Sequence, residues 1–142
     1  MILLTPWMRR AMFATAGMNM VAAVGFLPGA QSLRALTGFP EPAHPFYALT
    51  VVLFVLLFGI GYLWSALVGQ ADRLFIAISA VGRLSFFALV VAFWSIGELP
   101  LRAPVLGSWD LIFGVLFVAW LLDTQTSPES RRLAAAPGAR PS

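Results

Sequence analysis

The chain has 142 residues, of which 60% are hydrophobic and only 11% charged, with a mean hydropathy of +0.87. Soluble domains carry about a quarter charged residues, so this composition points to an integral membrane protein, with length for one small bundle and no second domain. Every basic side chain but His44 is an arginine, the net charge is +3, and the lack of cysteine excludes disulfides, thiolate catalysis, iron–sulfur clusters and zinc thiolate sites.

Four apolar segments are expected to form membrane-spanning helices, over residues 11–27, 46–69, 74–96 and 104–122. Each lies near the ~20 residues a spanning helix needs. The first follows a short N-terminus (1–10) carrying Arg9 and Arg10, a pattern shared with signal peptides. Pro28-Gly29-Ala30 is a poor small-x-small cleavage site, so the segment is expected to be retained as a span. The loop 28–45 follows. Its centre, 31–37, predicts a short interfacial helix with Leu33 and Leu36 toward the membrane, ended by Gly38, Pro40, Pro42 and Pro45.

A tight turn at 70–73 joins the second and third spans and predicts that these two are antiparallel neighbours. A short connection at 97–103, containing Pro100, leads to the fourth span, which is expected to start near Pro104. The tail 124–142 is rich in Pro, Ala, Ser and Arg and predicts disorder. Arg9, Arg10, Arg73, Arg131, Arg132 and Arg140 fall on one side of this layout, and only Arg34 and Arg102 on the other. The positive-inside rule therefore predicts an all-α, four-helix membrane bundle with both ends inside. Trp7, Phe46, Tyr47, Trp94, Trp109 and Trp120 are expected at the interfaces. Small residues on the helices, Gly61, Ser65 and Gly69, Ala88 and Ala92, and Gly107 and Gly114, predict close helix packing.

Within this apolar frame Arg83 stands out, because arginine keeps its charge in proteins and a charge at membrane depth faces a protein interior or a wet cavity. Counted from the inner ends at 1.5 Å per residue, Arg83 lies about 15 Å up, Asp110 about 19 Å, Asn19 about 14 Å and Tyr62 about 12 Å. All four spans thus place a polar side chain in one central slab. Two readings follow. Arg83 and Asp110 form a buried ion pair that sets helix register, with Asn19 and Tyr62 completing its polar contacts. Alternatively, the four residues form a binding site in which the Arg83 fork receives an anionic or polar head group.

Other candidates are weaker. Glu41 and His44 are expected to be solvated loop residues, and Glu98 and Arg102 an exposed pair. No phosphate loop, dinucleotide fingerprint, nucleophile elbow or zinc-protease motif is present, so no catalytic residue, metal site or cofactor is expected. The scattered arginines argue against nucleic acid as a partner. The expected partners are membrane lipid, another membrane subunit or a second copy of the chain.

Phe58-Gly59-Ile60-Gly61-Tyr62 in the second span, Gly82-Arg83 in the third and Asp110 early in the fourth resemble small bacterial inner-membrane proteins of the DoxX-like type. The resemblance covers about residues 9–123. It implies an integral membrane protein without established enzymatic activity and transfers no catalytic residue. The pattern differs from small multidrug transporters, which use an intramembrane glutamate where this chain has Asn19, and from sterol-isomerase-like bundles, which use an intramembrane histidine. The leading expectation is a non-enzymatic accessory subunit or a binder of lipid or small molecules. A small oligomeric transporter of an anionic or amphipathic solute is second, and an integral-membrane isomerase third.

Overall fold

The computed structural model describes residues 1–125. Its five helices are α1 (Pro6–Phe26), α2 (Gln31–Thr37), α3 (Pro45–Val68), α4 (Arg73–Ser95) and α5 (Arg102–Gln125), and the fold is all-α. The one addition is a two-residue antiparallel ribbon, in which β1 (Ile2–Leu3) pairs with β2 (Gln70–Ala71) in the α3–α4 turn. Leu4 extends it, donating its N–H to the Gly69 carbonyl at 2.9 Å.

Helix limits follow local chemistry. Pro6 and Pro45 occupy first-turn positions, where a missing N–H costs nothing. Asp72 caps α4 by accepting from the Leu74 and Phe75 N–H groups at 2.8 and 3.4 Å. His44 caps α3 through Nδ1, which accepts from the Phe46 N–H. Gly38 (φ +79°) and Gly69 (φ +74°) end α2 and α3 in the left-handed conformation. The short helix α2 occupies the residues expected for it, and it is bent by 118° from α1.

The spans differ from the sequence expectation mainly at their polar ends. The first helix begins at Pro6 rather than residue 11, and the fourth runs from Arg102 to Gln125 rather than 104–122. In the added first turn of α1 Arg9 donates to the Ala66 carbonyl of α3, and in the added last turn of α5 the Thr124 hydroxyl donates to carbonyls of its own helix and accepts from Arg73. Of the tail 124–142 expected to be disordered, residues 124 and 125 form the last turn of α5, and the rest lies outside the described residues. Helices α3, α4 and α5 are each long and apolar enough to cross a bilayer, and α1 meets that test only together with α2 as a bent pair. This arrangement fits a multi-pass membrane protein.

The pairing of helices corrects one expectation. The main companion of α3 is α1, and that of α4 is α5. Helices α3 and α4 meet through side chains, with the Phe75 ring packed over Gly61 and against Phe58 and Tyr62, and Arg83 against the Tyr62 ring. Small residues decide this pairing: Gly59 faces Asn19 and Met20 of α1, while Gly107 and Gly114 face Val90 and Leu84 of α4. The two pairs close around Met8, Met12, Tyr62, Ile76, Phe117 and Trp120. Trp120 is fully buried, not interfacial as expected, whereas Trp7, Phe46, Tyr47, Trp94 and Trp109 are exposed.

Candidate functional site

The central slab contains one connected polar cluster. The Arg83 Nη1 donates to Asp110 Oδ1 at 2.6 Å. Its Nη2 donates to Asn19 Oδ1 at 2.8 Å and to the Thr15 hydroxyl. The guanidinium carbon lies 5.2 Å from the Tyr62 ring centre, 5.5 Å from Phe113 and 5.9 Å from Phe117. Arg83 and Asn19 are buried, Thr15 fully so. The charge therefore sits among a carboxylate, two neutral oxygens and three ring faces, each of which favours a cation.

Local sequence positions each member. Thr15 and Asn19 are four residues apart on α1 and so share a face. Gly59 lets that face approach α3: a Cβ there would lie 3.1 Å from the Asn19 Cβ. Asn19 in turn donates its Nδ2 to the Val55 carbonyl at 2.9 Å, tying the cluster to the α3 backbone. On α5, Asp110 stands between Gly107 and Gly114, the residues that allow close approach to α4. Phe113 and Phe117 follow Asp110 around the same helix and meet the guanidinium from the side.

The structure thus joins Arg83, Asp110 and Asn19 by direct hydrogen bonds. Tyr62 belongs to the cluster through its ring; no hydrogen bond joins its hydroxyl to Arg83 among the described residues. Sequence reasoning missed Thr15. The available signal was its position one helical turn before Asn19, but a threonine in an apolar helix ordinarily bonds its own backbone and raises no alarm.

A second buried arginine also escaped notice. Arg34 of α2 donates Nη1 to the Phe26 and Leu27 carbonyls at 3.1 and 3.3 Å, satisfying the C-terminal end of α1. Its Nη2 pairs with Glu41 Oε2 at 3.1 Å. Arginines serve the C-terminal ends of α3 and α5 in the same way, at the other end of the bundle. Arg9 donates Nε to the Ala66 carbonyl of α3 at 2.7 Å, and Arg73 donates Nη2 to the Leu121 carbonyl of α5 at 3.0 Å. The Glu41 and His44 side chains go to different partners, Arg34 and the Phe46 N–H. Glu98 and Arg102 make no ion pair among the described residues, contrary to the expected pair.

Among the described residues no group of three or more His, Cys, Asp or Glu side chains is placed to hold a metal ion. No family profile matches the chain, and no curated protein or solved structure matches it significantly.

Proposed function

We propose that the chain is a four-span bacterial inner-membrane protein with both ends in the cytoplasm, of the DoxX-like kind, acting without catalysis as an accessory subunit or as a binder of lipid or small apolar molecules. The observation that carries this reading is that both terminal nitrogens of Arg83 are engaged by the chain itself, which leaves only the buried Nε without a partner. Transport or catalysis at this depth needs a charged group left available to the substrate. Here both terminal nitrogens are engaged by Asp110, Asn19 and Thr15, and aromatic faces surround the guanidinium. Opening this set to a solute would leave buried charges unpaired, a cost of several kcal/mol, of order 3–5 for one broken partner.

The surface left for function is then the apolar exterior. Leu49, Leu53, Leu57 and Ile60 of α3 are all exposed, which suits lipid chains or the helices of another membrane subunit. Arg9, Arg10 and Arg73 gather at the end holding the start of α1, which supports a cytoplasmic location for that end.

The alternative is an oligomeric transporter of an anionic or amphipathic solute. It is favoured by the Asp110 side chain, which is 22% exposed and leaves the cluster open at one edge. Co-purification and uptake separate the two. The full chain in native nanodiscs is expected to retain lipid or a second subunit under native mass spectrometry. Vesicles containing it are expected to take up organic anions no faster than protein-free vesicles. Uptake that Arg83→Leu abolishes, in a variant that remains folded, would replace the first reading with the second.

A further inference from the structure

At the far end of the bundle from Arg9 and Arg73, the chain builds a second polar site. Between α2 and the start of α3 lies a cleft of about 210 Å³, walled by Pro28, Pro42 and Pro45 and lined by Arg34 and Glu41. Each proline fixes its own φ, which stiffens the backbone around the cleft. Arg34 is 4% exposed, and its Nε is buried with no hydrogen-bond partner. Nη1 is committed to the α1 carbonyls. The Nε–Nη2 edge of the guanidinium is a two-pronged fork made for oxyanions, and here only Nη2 is filled, by one oxygen of Glu41. The Glu41 side chain is 57% exposed and lies on a loop. It is an exposed partner for a buried charge, and it can rotate out without disturbing a helix.

We propose that this cleft binds the phosphate group of an anionic phospholipid, with Arg34 as receptor and Glu41 as a displaceable stand-in. An incoming phosphate presents several oxygens, fills both prongs and replaces the lost carboxylate charge. A buried unsatisfied donor is costly, so filling Nε favours the exchange. The lipid source is argued from position. Helix α2, which supplies Gln31 and Arg34 to the cleft, is bent by 118° from α1 and exposes Leu33 and Leu36, and α3, which supplies Pro45 and Ala48, exposes Phe46 and Tyr47. A diacyl tail leaving the cleft therefore meets apolar surface. The proposal rests on the membrane reading above.

The test uses the full chain in phosphatidylcholine nanodiscs containing a minor share of phosphatidylglycerol, with bound lipid read by native mass spectrometry. The wild type is expected to retain phosphatidylglycerol over phosphatidylcholine. Glu41→Gln removes the competitor and should tighten that retention about tenfold, the worth of one charge-assisted hydrogen bond. Arg34→Lys keeps the charge without the fork and should weaken it, and Arg34→Gln should abolish the preference. If Arg34→Gln unfolds the corner, Glu41→Gln decides alone. Retention of phosphatidylglycerol that falls or stays unchanged in Glu41→Gln would overturn the proposal. Equal displacement of phosphatidylglycerol by inorganic phosphate and by short-chain phosphatidylglycerol would overturn the lipid source. An inserted, folded protein with no preference overturns the site alone, whereas failure to insert into the nanodisc overturns the membrane reading and the site with it.

Discussion

The two buried arginines, Arg83 and Arg34, solve the same problem with different materials. Both are less than a tenth exposed, both pair with one carboxylate, and both leave Nε without a partner. Arg83 is held by side chains from α1 and α5 and by a ring of α3, in the middle of the bundle. Arg34 is held by backbone carbonyls at a helix end and by a half-exposed loop carboxylate. The first arrangement needs several helices in register before any of its bonds form. The second needs only one helix end and one loop. A central charge therefore records how the helices assemble, while a peripheral charge remains open to exchange.

That contrast is breakable by substitution, and the largest effect is expected at the centre. Arg83→Leu strands Asp110 and leaves Thr15 and Asn19 without their shared donor, which should cost about 3–5 kcal/mol. Unfolding in mixed detergent, followed by tryptophan fluorescence, measures it. Joining Arg83→Leu to Asp110→Leu should recover much of that loss, because an apolar pair leaves no buried charge. A double variant no more stable than the single one would mean that the ion pair itself supplies the stability.

The next effect is expected at the outer corner. Gly38 has φ +79°, and a Cβ there would lie 2.5 Å from the Pro100 ring and 2.7 Å from Arg102 Nε. Gly38→Ala should cost about 2–3 kcal/mol through overpacking and left-handed backbone strain. Limited proteolysis of the α2 loop should accelerate, while the Arg83 cluster stays intact. Arg34→Gln removes the α1 end contacts and should cost about 1–2 kcal/mol. Glu41→Gln alters a half-exposed partner and should change stability by less than about 1 kcal/mol. The same detergent titration ranks all four. A corner variant more damaging than Arg83→Leu would reverse the comparison.

Much of the central cluster was legible because depth along a helix can be counted. Arg83, Asp110 and Asn19 fall at one level from residue spacing alone, and they meet. Thr15 was not legible, because a single hydroxyl in an apolar helix has a satisfactory partner in its own backbone. Tyr62 was placed at the right depth, but its contribution comes from its ring and not its hydroxyl. Trp120 read as interfacial because it lies near a span end, yet it is buried where α5 packs against the rest of the core. Arg34 read as an ordinary loop charge, since nothing in its neighbourhood reports that α2 folds back beneath the end of α1.

What the sequence determined by itself was the all-α class, the approximate extent of the apolar helices, the short helix over 31–37 and the shared level of Arg83, Asp110 and Asn19 along their helices. These follow from hydropathy, helical rise, and the conformational limits of proline and glycine, all of which act along one segment. Only the tertiary structure decided which helices pair, which face of α5 is buried, that Thr15 joins Arg83 and that Glu41 pairs with Arg34. Those outcomes depend on where small residues permit close approach between helices distant in the chain, a property of two surfaces together that neither segment carries alone.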